Sequence, residues 1–197
     1  MAVVGGAARV TSAIMGDSLN GNAGVDSTQR RNGMNHERPV SASLTDSRAT
    51  REANKRALAR AMAGISSLDV EAVRAELHDD VVMQLPYEDA VPDLDKSGIC
   101  ELLTGVLFTM YKQCDITFTD LYELVDPDQL IARYIGDFRG RDKDVRYANR
   151  YIAVFAFCDG KITLWCEYDN PLIVQASLAD FAEMPDSDAA RVERLDG

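Results

Sequence analysis

Glu167 is the carboxylate in this chain best placed to move a proton, and a hairpin puts it there. Asp159-Gly160 lies between two runs rich in aromatic and β-branched residues, RYANRYIAVFAFC and KITLWCEY. Asp-Gly in such a setting predicts a two-residue type I′ turn. The register this turn imposes sets Phe157 opposite Ile162, Phe155 opposite Leu164, Ala153 opposite Cys166, Tyr151 opposite Tyr168 and Asn149 opposite Asn170 on one face. The other face pairs Ala156 with Thr163, Val154 with Trp165, Ile152 with Glu167, and Arg150 with Asp169. A carboxyl beside Ile152 and Trp165 is partly desolvated, which raises its pKa and suits it to general acid/base work. The same register leaves a plainer reading open. Ile162, Leu164 and Cys166 make the better core face, so Glu167 is also readable as a surface glutamate.

Other candidates surround it. Arg150 opposite Asp169 reads either as an exposed cross-strand ion pair or as an arginine at a pocket mouth that holds a substrate carboxylate. Asp137 is a candidate second cavity acid, against the alternative of a solvated strand end. Tyr87, Tyr147, Tyr151 and Trp165 could line a cavity for a planar or cyclic ligand, or serve as core packing. Arg139, Arg141, Lys143, Arg146 and Arg150 concentrate positive charge, as a solvated loop or as a rim that steers anions. His78 sits at a predicted helix end and His36 in the leader, and neither is assigned chemistry. There is no glycine-rich phosphate loop, G-x-S-x-G or H-E-x-x-H, so dinucleotide, serine-hydrolase and zincin readings have no support.

The pattern Tyr147-x-Asn149-x-Tyr151, Val154-Phe155, Asp159-Gly160-Lys161-Ile162, Glu167-Tyr168-x-Asn170-Pro171 resembles the C-terminal signature of SnoaL-like proteins in the NTF2-like superfamily, most of all the phenazine biosynthesis A/B group. The likeness extends more loosely back to about Arg51, through Leu77 to Val82 and Leu85-Pro86-Tyr87. It implies an α+β fold, an NTF2-like cone in which a curved antiparallel sheet wraps N-terminal helices around an internal pocket, with the outer sheet face often forming a homodimer. It also implies that Glu167 matches the acid/base glutamate of that group. Arg150 stands where those proteins tend to carry histidine, a departure that bears on substrate chemistry.

The elements that must position these residues follow from spacing. Ser47 is a plausible N-cap for a helix with Leu58, Ala61, Met62 and Ile65 on one face, stopping near Gly64. A second helix follows Ser67 and ends at His78-Asp79-Asp80, and Val81, Met83, Leu85 and Tyr87 alternate as an edge strand marked by Pro86. Ser97 can cap an apolar helix through Met110. Strands are predicted over Ile116 to Val125 and Leu130 to Phe138, then the hairpin, then a short helix from Leu172 to Phe181. Helices first and antiparallel strands after give an α+β layer.

Residues 1–46 hold no aromatic residue and read as a disordered leader in which Met34 is an alternative start; 47–182 form the domain, and 183–197 an acidic flexible tail. A net charge of −11 disfavours nucleic acid, no run is long enough to span a membrane, and no secretory signal is evident. Four cysteines without a C-x-x-C fit reduced buried thiols in a cytoplasmic protein and no zinc site. The expected function is cofactor-independent acid/base chemistry on a small hydrophobic or cyclic metabolite, as an isomerase, cyclase, condensation enzyme or dehydratase. The alternative is a non-catalytic ligand-binding or scaffold protein.

Overall fold

The computed structural model describes residues 44–88 and 90–183. The expected leader, with Met34 and His36, lies almost wholly outside them, as does the tail beyond 183. Helix α1 (Leu44–Ser66) is already running at Leu44, so Ser47 lies inside the helix and does not cap it. Its buried stripe is Ala57, Leu58, Ala61, Met62 and Ile65, the face that the spacing predicts. Helix α2 (Val70–Glu76) follows, capped by Asp69, whose side chain accepts from the N–H groups of Glu71 and Ala72 at 3.0 Å. Ser67, after which this helix is expected, bonds back to the carbonyls of Ala63 and Gly64. Gly64 lets the two helices touch: a Cβ there would meet Val73 Cγ2 at 2.9 Å.

Strand β1 (Leu77–Gln84) starts earlier than its alternation suggests and includes His78-Asp79-Asp80. Helix α3 (Lys96–Leu102) is capped by Asp95, not Ser97. It runs into a π-helical segment, Leu103–Leu107, and a last turn, Phe108–Met110. A π turn widens the helix and is over-represented at functional sites. Strands β2 (Tyr111–Glu123), β3 (Gln129–Gly140), β4 (Arg146–Cys158) and β5 (Lys161–Tyr168) follow, and helix α4 (Pro171–Glu183) closes the described chain.

The sheet order is β1-β5-β4-β3-β2. The expected all-antiparallel sheet is corrected at one edge, because β1 runs parallel to β5. Asp159 and Gly160 adopt φ of 50° and 72°, the positive values at both centres that a type I′ turn needs.

The hairpin register departs from the expected one just beyond the turn. Phe157 faces Ile162 as predicted, but Ala156 then faces Leu164, leaving Thr163 as a one-residue bulge. Beyond it Phe155 faces Trp165, Val154 faces Cys166, and Ala153 faces Glu167. A slip of one residue exchanges the faces of a strand. Trp165 and Glu167 therefore join Phe155, Ala153 and Phe157 on the helix-covered face, while Leu164, Cys166 and Tyr168 turn outward. Phe155, Leu130 and Ile162 are fully buried there with Leu58 of α1. Burying each such side chain is worth about 1.5–3 kcal/mol. The outer face carries apolar side chains without cover among the described residues: Ile152 is 45% and Ile135 36% exposed.

Candidate active site

A cavity of about 190 Å³ lies between the inner face of the sheet and the helices. One water fills about 10–15 Å³ of such space, so there is room for on the order of a dozen heavy atoms, a ligand of one or two rings. Its helical walls come from Met62 and Ile65 of α1, Leu103, Val106 and Leu107 of the π segment, and Val174 and Leu178 of α4. The sheet contributes Tyr134, Phe138, Tyr147, Tyr151, Trp165 and Glu167.

Glu167 is held through one oxygen. The Tyr134 hydroxyl donates to Oε2, and Trp165 Nε1 donates to the same atom at 3.0 Å. Among the described residues Oε1 has no hydrogen-bond donor, so it is the oxygen left to a ligand. Burial pushes the carboxyl up to about 7; the two donors pull it back in part, and the charge of Asp169 adds to the rise. Burial also raises Asp169, which lines the same cavity. Tyr134 is raised well above its usual value, first by burial and then by the Glu167 charge, so it remains a donor.

A second polar group comes from β4. Asn149 Oδ1 accepts from the Arg150 and Asn170 N–H groups, which leaves its amide nitrogen to donate to the Tyr147 hydroxyl at 3.0 Å. The Tyr147 and Tyr151 hydroxyls lie 2.6 Å apart. One hydrogen bond between two hydroxyls uses one hydrogen, so one phenolic O–H of the pair remains to donate. Both rings line the cavity, and Tyr151 stacks on Tyr134 with centroids 5.0 Å apart. Acceptor Oε1 and this hydroxyl pair thus share one apolar chamber. Among the described residues no three His, Cys, Asp or Glu side chains converge as ligands for a metal ion.

The structure brings Glu167, Tyr147, Tyr151 and Trp165 together at the cavity and leaves the other three candidates elsewhere. Asp137 points to the outer face, where Arg146 binds it through two bonds of 2.9 and 2.6 Å. Arg150 is exposed on the same outer face, opposite Ile135. The bulge removes Asp169 from its expected place opposite Arg150 and turns it inward. Tyr87 is 58% exposed, its ring edge-on to the outward Tyr168. Residues that the sequence did not propose for the site take their places: Tyr134, Asp169 and Glu88 at the cavity, and Asn149 behind the Tyr147 hydroxyl. Tyr134 lies in the alternation Leu130, Ala132, Tyr134, Gly136, Phe138, which marks the inner face of β3. Glu88, in the loop after β1, carries no periodic signal at all.

No curated protein sequence matches this chain. Among solved structures, a putative isomerase from Bacillus subtilis superposes with a TM-score of 0.60 at 21% identity, over 66% of this chain and 96% of that one. A phenazine biosynthesis-related protein from Pseudomonas aeruginosa gives 0.60 at 17%, over 70% and 92%. A putative polyketide cyclase from Xanthomonas campestris gives 0.55 at 17%, over 66% and 98%. At these identities the likeness speaks for the fold alone. Residues 58–165, more than half the chain and reaching from the α1 core into the cavity wall, match the SnoaL-like domain, and the chain belongs to that family.

Proposed function

We propose that the protein catalyses proton transfer on a small, mostly apolar carbonyl compound, with Glu167 as the base. The observation that carries this is the Glu167 carboxyl, buried in an apolar chamber that it lines and fixed through Oε2, with Oε1 left without a donor among the described residues. Oε1 takes a proton from the carbon next to the carbonyl. The C–H electrons form the enolate C=C, and the charge that moves onto oxygen is met by the free O–H of the Tyr147–Tyr151 pair. Returning the proton to another carbon gives an isomer; attack of the enolate carbon on an electrophilic carbon closes a ring or joins two fragments. A pKa near 7 matches the base to neutral pH, where half the molecules hold it ionised. Such chemistry needs no cofactor in principle.

The test is exchange of α-protons for deuterium in a panel of cyclic ketones, followed by proton NMR. Glu167→Gln should lower the exchange rate by about 100-fold or more; an unchanged rate removes Glu167 from the chemistry. The second reading, a carrier that binds without turnover, draws on the overwhelmingly apolar lining. It predicts saturable binding with no exchange above buffer. We place the protein in the cytoplasm as a homodimer joined through the outer sheet face, supported by the exposed Ile135 and Ile152.

A further inference from the structure

The charges around the cavity are all of one sign. Glu88, Glu167 and Asp169 line it, and among the described residues no Lys, Arg or His side chain does. The basic residues nearby are spent elsewhere. Arg146 binds Asp137 on the outer face, Arg141 donates to the carbonyls of Phe108 and Tyr111, and Lys161 donates to the Ala75 carbonyl. Arg150, the one candidate for a substrate carboxylate, faces outward.

We propose that the substrate of this site carries no carboxylate, phosphate or sulfate: it is a neutral or cationic carbonyl compound. The inference rests on the acid/base reading above and narrows it to a substrate class. An anion entering the chamber would lose its water and gain no counter-charge, while facing the ionised base. With a neutral substrate the Glu167 pair holds one negative charge before proton transfer and one after, moved from carboxylate to enolate. An anionic substrate would double it at every stage. The aromatic faces of Tyr134, Tyr151 and Trp165 tolerate a cation but offer nothing to an anion. The titratable groups around Glu167 are Tyr111 of β2, Tyr134 of β3, Tyr147 and Tyr151 of β4, Asp169 beyond β5 and Glu88 of the loop after β1. None of them is basic.

Three probes of one shape and three charges test this: benzamide, benzoate and benzamidinium. Trp165 is the chain's one tryptophan and bonds to Glu167, so its fluorescence reports the site. At pH 8, above the Glu167 pKa of about 7, benzamide should quench it saturably. Benzoate should bind at least about tenfold more weakly, and benzamidinium no more weakly than benzamide. In Glu167→Gln the gap between benzamide and benzoate should narrow. Benzoate binding as tightly as benzamide, or benzamide failing to saturate, overturns the inference. The two ideas fail separately. If benzoate binds well while Glu167→Gln still abolishes exchange, the charge class falls and the base remains. If benzoate is shut out while Glu167→Gln exchanges like wild type, the base falls and the charge class stands.

Discussion

Tyr134 reaches Glu167 across an entire strand. Tyr134 belongs to β3 and Glu167 to β5, with β4 between them, so the hydroxyl spans two strand spacings, about 9.5 Å, to meet Oε2. The row beneath makes this possible. Ala132, Ala153 and Glu167 are neighbours across the three strands, and two alanines leave the floor low enough for the phenol to pass over.

Removing that hydroxyl should change the acid before it changes the fold. The Tyr134 bond holds Glu167 below the value that burial alone would set. Tyr134→Phe should therefore raise the Glu167 pKa above about 7, read by carbonyl-labelled NMR titration. Trp165→Phe should act in the same direction through Nε1. A Tyr134→Phe pKa at or below the wild-type value would mean that the phenol does not tune the base.

Rate and stability should move oppositely with pH. A base that titrates near 7 makes kcat/KM rise with pH through about 7, then level off. Stability behaves in the reverse sense. The folded state keeps the Glu167 proton up to about 7, whereas the unfolded chain loses it near the ordinary 4.5. Stability from this group is fully present below pH 4.5 and declines up to about 7, by about 3 kcal/mol in all. Glu167→Gln cannot titrate, and its carboxamide oxygen can still accept from Tyr134 and Trp165. Its melting temperature should exceed wild type at pH 8 and match it near pH 4. Parallel curves at both pH values would refute a buried, proton-holding Glu167.

The outer face carries its own prediction. Ile152 sits between Arg133 and Tyr168 on that face, half-exposed at the middle of the sheet. Ile152→Lys should break the proposed sheet-face dimer to a monomer by sedimentation velocity while leaving α-proton exchange intact. A wild-type protein that sediments as a monomer at micromolar concentration would remove the sheet-face dimer.

Much of this architecture is legible in residue order, because the signals concerned are local. Leu58, Ala61, Met62 and Ile65 repeat at helical spacing, and Asp159-Gly160 can make little but a tight turn. The inner face of the hairpin beyond Phe157 is different. A bulge depends on how β5 is squeezed between β4 and a parallel β1, and no residue near Thr163 announces it. Strict alternation therefore set Glu167 on the wrong face, and the pocket reading rested on the family likeness and on the apolar neighbours Ile152 and Trp165. Asp137 failed as a cavity acid for the complementary reason: it alternates outward from Phe138, and Arg146 nine residues later neutralises it. Tyr134 carries a local signal for burial but none for its partner, which is 33 residues away.

The bulge at Thr163 sets the parity of β5. Drawing Thr163 into the ladder opposite Ala156 would keep every side chain, yet it would turn Glu167 and Trp165 out toward solvent and bring Cys166 and Tyr168 in; removing Thr163 would leave Ala153 opposite Glu167 as now. With Thr163 drawn in, the chamber would remain apolar and lose the Glu167 carboxyl. The facing of Glu167 is therefore set by strand register as much as by composition: one residue left out of the ladder between Ile162 and Leu164 decides which side of the sheet carries the carboxyl.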